Sequence, residues 1–75
     1  MELNQPTQQL RKELFDMAHR TENLALELGR IAELLPEEAA FALLGAIGTM
    51  FKDADRLRAM GQSASDGRIV VASAA

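Results

Sequence analysis

The sequence predicts an all-α protein: an antiparallel hairpin of two helices that dimerises into a four-helix bundle, with a flexible C-terminal tail. Helix-forming residues dominate from about residue 5 to residue 60, and proline occurs only at Pro6 and Pro36. Apolar side chains recur with heptad spacing in both halves of this segment. Each half also carries more apolar surface than one neighbouring helix covers, which predicts several neighbours for each helix.

The first helix is predicted over about residues 5–34. Pro6 suits its first turn, where the missing N–H is not needed, and Asn4 or Gln5 provides the cap. Gly29 is the one position that threatens continuity, because an interior glycine costs about 1 kcal/mol relative to alanine. The apolar spacing continues through Gly29 in register. We therefore expect a single helix.

The second helix is predicted over about residues 36–60. Pro36 disfavours the α conformation at Leu35 and so marks the boundary between the helices. Glu37 and Glu38 follow in the first turn, where carboxylates interact favourably with the helix dipole. Gly61 is predicted to stop the helix. These bounds define a helical hairpin over residues 1–61.

The first predicted helix carries two parallel stripes. Its main seam steps by four and three residues and comprises Leu10, Leu14, Met17, Thr21, Leu24, Leu28, Ile31 and Leu35. One position after alternate seam residues comes a stripe of small side chains, Ala18, Ala25 and Ala32. An apolar seam can be covered within one hairpin. The second stripe predicts contact with a further helix.

The second predicted helix is apolar on more sides. Its seam is Ala40, Leu43, Ile47, Met50, Ala54 and Leu57. Phe41, Leu44 and Phe51 widen the apolar surface beyond that seam and are candidate partner-binding residues, with burial in the bundle core as the alternative. Gly45 and Gly48, within one turn, predict a close approach of another backbone; a kink or a ligand recess is the alternative.

Residues 39–51 form the most apolar run of the chain and are predicted to lie at the centre of an intersubunit core. At 13 residues the run is shorter than the roughly 20 that cross a bilayer, and charged residues flank it, so a membrane span is not expected. The predicted dimer core comprises Leu24, Leu28, Ile31, Leu43, Ile47, Met50 and Leu57.

Residues 62–75 are predicted to form a flexible or β-prone tail. Asp66-Gly67 is a turn signal, and the residues from Arg68 to Val71 favour β structure. A lone strand has no mate within this chain. The alternative to a disordered tail is a short strand that pairs with a second subunit or with the sheet edge of a partner.

No cofactor site and no catalytic constellation is expected. The chain has no cysteine, which excludes thiolate metal ligands and cysteine catalysis. Asp16 and His19 have the carboxylate-x-x-His spacing that helix bundles use for metal ions, with Glu22 one turn further on. The seam turns these residues toward solvent, which favours a surface histidine over a metal site. The sequence therefore predicts a protein that is not an enzyme and has no small-molecule substrate.

The remaining surface predicts a small protein-binding regulator, which as an adaptor, chaperone or inhibitor acts as a homodimer on an unidentified partner protein. The formal net charge of −3 argues against nucleic acid as that partner. A nucleic-acid regulator is the alternative if the dimer gathers its basic residues on one face: Arg11, Lys12, Lys52, Arg56 and Arg58. A membrane-active amphipathic peptide is weakened by the acidic faces. The absence of cysteine and of a basic, apolar N-terminus predicts a cytoplasmic location.

Overall fold

The computed structural model describes residues 3–72 as two helices that pack against each other in an antiparallel hairpin. Helix α1 spans Gln5–Ala32 and helix α2 spans Glu37–Ser65. The molecule measures 55 × 20 × 15 Å and its radius of gyration is 16.5 Å. A compact chain of this length has a radius of gyration of about 11 Å. The all-α hairpin is confirmed, and it is strongly elongated.

Helix α1 begins and continues as its sequence predicts. The Asn4 side chain accepts a hydrogen bond from the backbone N–H of Thr7 at 2.8 Å, which satisfies one of the free donors of the first turn. Gly29 does not interrupt the helix. The helix ends at Ala32, two residues before the predicted bound, and tight hydrogen bonds close its last turn: Leu34 N–H to Ile31 O at 2.9 Å and Leu35 N–H to Ala32 O at 3.2 Å.

Helix α2 begins where predicted but extends past its predicted end. Pro36 is the N-cap residue, and its carbonyl accepts from the N–H of Ala40 at 2.9 Å. The prediction that Gly61 stops the helix is wrong, because Gly61 is buried in a helix that continues to Ser65. A side chain at this position would lie 3.1 Å from the ring of Phe15. Gly61 therefore serves the close approach of Phe15 from α1.

The helix stop lies one turn later, at Gly67. Its φ of 77° is a left-handed conformation that favours glycine. The N–H of Arg68 donates to Ser63 O at 2.8 Å, and the N–H of Gly67 donates to Ala64 O at 3.2 Å. These two bonds satisfy the last carbonyls of α2 in a Schellman arrangement. Residues 62–65, predicted as tail, therefore belong to α2.

After this stop the chain returns to the start of α1. The N–H of Val71 donates to the hydroxyl of Thr7 at 3.0 Å, and the Asn4 side-chain amide donates to Val71 O at 3.1 Å. Thr7 has no exposed surface. Up to residue 72 this segment forms no strand, so a β-strand is not observed in the described part of the tail. Residues 73–75 lie outside the described residues.

Small side chains form the contact between the helices. The buried residues of α1 include the alanine stripe Ala18, Ala25 and Ala32, and those of α2 include Ile47, Ala54, Gly61 and Ala64. In α2 this stripe contains two residues of the predicted seam, Ile47 and Ala54, while Leu43, Met50 and Leu57 of that seam are half-buried beside it. In α1 the buried stripe is not the predicted seam: the alanine stripe, predicted to meet a further helix, faces α2. The leucine seam lies to one side, with Met17, Leu24 and Ile31 exposed.

Candidate interaction surfaces

An ion pair between the helices marks one side of the hairpin. The guanidinium of Arg58 in α2 contacts the carboxylate of Glu22 in α1, although the two residues are 36 positions apart in the chain. The same guanidinium lies 3.4 Å from the carboxylate of Asp55. Residues seven apart on an α-helix occupy the same side, because seven residues complete almost two turns. Residues spaced by whole helical turns from Glu22 in α1 or from Arg58 in α2 therefore lie on the same side of the hairpin as the ion pair.

A phenylalanine face occupies this side at the end nearest the turn. Phe51 and Leu44 precede Arg58 by seven and fourteen residues, and Leu26 follows Glu22 by one turn. Phe41 lies one turn before Leu44. All four side chains are exposed, Phe41 most of all at 78%. We define the phenylalanine face by these four residues: Leu26, Phe41, Leu44 and Phe51.

A leucine face occupies the opposite side. In α1, Met17, Leu24 and Ile31 each directly precede an alanine of the buried stripe, and so lie across that stripe from Glu22. In α2, Leu43, Met50 and Leu57 lie across the buried stripe from Arg58 and are half-buried. We define the leucine face by Leu10, Leu14, Met17, Leu24, Leu28 and Ile31 of α1 with Leu43, Met50 and Leu57 of α2. It runs along most of the hairpin.

The residues predicted as dimer core divide between two environments. Ile47 is 6% exposed and belongs to the contact between α1 and α2. The other six lie on the leucine face: Leu24, Leu28, Ile31, Leu43, Met50 and Leu57. Leu24 and Ile31 are exposed there, and the remaining four are half-buried. The hairpin alone therefore leaves most of this set uncovered.

The predicted partner-binding residues Phe41, Leu44 and Phe51 all lie on the phenylalanine face. None of them is among the buried residues of the contact between α1 and α2 within the described residues; their exposed fractions are 78% for Phe41, 52% for Leu44 and 39% for Phe51. Gly45 and Gly48 lie in the same stretch, and in the described part of the chain a Cβ atom at either position meets no atom of α1 within 4 Å. The close backbone approach predicted for these glycines is thus not made inside the hairpin. The space above them is open.

Two surface features were not singled out from the sequence. Leu26 contributes to the phenylalanine face from α1, and the Glu22–Arg58 pair joins the helices beside it. Leu26 lies outside the heptad seam, so the heptad pattern does not identify it. The signal available was its position directly after Ala25, on the other side of the alanine stripe from Leu24. The ion pair has no signal of its own in the sequence.

The histidine constellation does not assemble a metal site in the described chain. Asp16 and His19 are exposed on α1, whereas the Glu22 carboxylate turns toward Arg58. Within residues 3–72 no three histidine, aspartate or glutamate side chains are grouped to hold a metal ion. Glu22 is therefore engaged by Arg58 and does not join Asp16 and His19.

The basic residues of the nucleic-acid hypothesis are distributed along the hairpin. Arg58 is engaged with Glu22, while Lys52 and Arg56 are exposed on α2. Arg11 and Lys12 lie about ten residues before Glu22, which is roughly 15 Å along α1. One hairpin therefore does not gather these five residues over its described length. The hypothesis of a shared basic face in a dimer stays a prediction.

Comparison with protein-family models, curated proteins and solved structures finds no match for this chain. Over the described residues, neither helix combines the length and the hydropathy that crossing a bilayer requires. The two apolar faces of the hairpin are the features of the described chain that bear on its function.

Proposed function

We propose that the chain is a non-enzymatic, protein-binding regulator that works as a homodimer, in which two hairpins join through their leucine faces into a four-helix bundle. The observation that carries this proposal is the leucine face itself. It is a stripe of large apolar side chains with Thr21 as the polar residue within it on α1, and its most exposed members include Leu24 at 54%. Apolar side chains grouped on one side of a small protein are typical of interaction sites.

The surface area of the hairpin supports a second copy as the occupant. The accessible surface is 5768 Å², whereas a compact folded chain of 8.2 kDa exposes about 4,500 Å². The excess is about 1,200 Å². A stable interface of standard size covers about 800 Å² on each partner. An excess of this size leaves room for one such interface, and a second copy of the hairpin, 55 Å long and apolar on the same side, matches the length of the leucine face.

The two faces of the hairpin suggest how such a dimer acts. Pairing through the leucine faces leaves both phenylalanine faces uncovered, on the outer sides of the bundle. The dimer then presents two equivalent surfaces to partner proteins. Binding there covers a functional surface of the partner or holds two partner molecules together. This is regulation by occupancy, and it requires no catalytic group.

Replacing Leu24 with Asp is expected to convert the dimer to folded monomers. In a twofold dimer the substitution introduces two carboxylates into the apolar interface, and each costs several kcal/mol when left unpaired. In an isolated hairpin Leu24 is 54% exposed, so the helices tolerate the change. Light scattering after size-exclusion chromatography measures the mass, and circular dichroism measures the helix content.

The matched control is Leu44→Asp, because Leu44 is 52% exposed on the phenylalanine face. This variant is expected to keep the dimer mass. A dimer that survives Leu24→Asp, or one that is lost only with Leu44→Asp, contradicts the assignment of the leucine face. Comparing the two variants separates the effect of the face on which the carboxylate is placed from the effect of replacing an exposed leucine by aspartate.

A further inference from the structure

We propose that the phenylalanine face binds an amphipathic helix of another protein, with basic side chains flanking the apolar stripe of that helix. This inference rests on the proposed function and adds to it the surface and the chemistry of the partner. The face has an apolar centre made by Leu26, Leu44 and Phe51, and Phe41 extends it toward the turn. It lies on the side of the hairpin opposite the leucine face.

The shape of this face suits a helix. Phe41 and Phe51 are ten residues apart on α2, a distance of about 15 Å or nearly three helical turns. Gly48 lies between Leu44 and Phe51, and a Cβ atom there meets nothing within 4 Å. Gly29, seven residues after Glu22, is equally open on α1. An α-helix can therefore approach the two backbones closely and place large side chains beside Leu44 and Phe51.

The charges around the apolar centre select a basic partner. The helical repeat puts four carboxylates around it: Glu22, Glu33, Glu37 and Asp55. Two guanidinium groups lie on this side. That of Arg58 already contacts Glu22 and Asp55. That of Arg30 is exposed one turn after Leu26, so the carboxylates remain in excess. Glu33 and Glu37 are exposed, and neither forms an ion pair within residues 3–72. Charge complementarity at an interface steers encounter and excludes partners of like charge.

The probe is a synthetic amphipathic peptide of about 18 residues, the length of the face with its flanking carboxylates. One version carries a leucine stripe flanked by lysines, and the control version replaces each lysine with glutamate. We expect fluorescence anisotropy with the intact protein to show saturable binding of the lysine peptide. The affinity should fall as salt is raised, and the glutamate peptide should not bind. Equal binding of both peptides overturns the proposed charge selection.

Matched variants locate the bound peptide. Leu44→Gln, on the phenylalanine face, is expected to weaken binding of the lysine peptide about tenfold or more, because apolar side chains at the centre of a patch dominate the affinity. Met60→Gln, exposed on α2 and part of neither face, is expected to leave the affinity unchanged, while Leu24→Gln tests for binding to the leucine face instead. Glu33→Gln with Glu37→Gln should lower the affinity and reduce its salt dependence. Circular dichroism confirms that each variant keeps its helix content.

Each failure has a distinct meaning. Loss of peptide binding with Leu24→Gln but not with Leu44→Gln places the peptide on the leucine face and overturns the inference. An assembly larger than a dimer that depends on Leu44 also overturns it, because copies of the chain then cover the face. A chain that binds the lysine peptide through Leu44 as a monomer retains this inference and contradicts the homodimer of the proposed function.

Discussion

Ile47→Asp is expected to unfold the hairpin and to abolish the dimer. Ile47 is the largest apolar side chain among the buried residues of α2, at 6% exposure. The substitution places an unpaired carboxylate between the helices, at a cost of several kcal/mol against a total stability of roughly 5–15 kcal/mol. Circular dichroism during thermal unfolding should show a large loss of helix content and of melting temperature.

Thr49→Asp provides the matched control for that variant. Thr49 is exposed on the same helix, two residues away, so its replacement adds the same charge without burying it. Its melting temperature should stay near that of the unmodified chain. If Ile47→Asp melts like Thr49→Asp, then α2 does not face α1 through Ile47 and the described packing is wrong.

Ala54→Leu is expected to force the two helices apart. Ala54 has no exposed surface, and the buried stripe of α1 opposite it consists of alanines. A larger side chain has no space between backbones that approach this closely, and overpacking of a core costs about 1–3 kcal/mol or more. A small protein has little stability in reserve, so the midpoint of urea unfolding should fall clearly.

The control for the second variant is Ala59→Leu. Ala59 is exposed on α2, and the same change there adds the same atoms in solvent without crowding. Its expected effect on the urea midpoint is close to zero, since both residues favour helices. Equal midpoints for the two variants would show that Ala54 has room for a larger side chain, contrary to a tight alanine contact.

The two helices were predicted well because the proline positions and the heptad spacing of apolar residues are properties of the local sequence. Pro36 marks the helix boundary, and the apolar register through Gly29 correctly predicts one continuous α1. The predicted end of α2 at Gly61 was wrong. A glycine can end a helix or allow a neighbouring side chain to pack closely, and the local sequence is the same in both cases. Only the ring of Phe15, packed on Gly61 from the other helix, distinguishes the two roles.

Periodicity alone could not predict which side of α1 packs against α2. The leucine seam and the alanine stripe share one repeat and lie one residue apart, so both satisfy the same pattern. Close approach of two helices favours the smaller side chains, which places Ala25 against α2 and leaves Leu24 at 54% exposure. Which of the two stripes is buried depends on the shape of the surface that α2 presents. A sequence pattern does not contain that information.

The two exposed apolar faces were predicted in part. The sequence singled out Phe41, Leu44 and Phe51 because they exceed what a seam needs, and all three lie on one exposed face. It did not reveal that Leu26 joins this face from α1, nor that the leucine residues form a second face on the opposite side. Both facts follow from the antiparallel register, which the contact between Glu22 and Arg58 makes visible.

The most direct measurement of the central claim is the mass of the unmodified chain in solution. Multi-angle light scattering over a range of micromolar concentrations should give twice the chain mass of 8.2 kDa. Because association stabilises the folded chain by mass action, the melting temperature should also rise with concentration. A folded species of 8.2 kDa throughout that range, with a melting temperature independent of concentration, would contradict the homodimer.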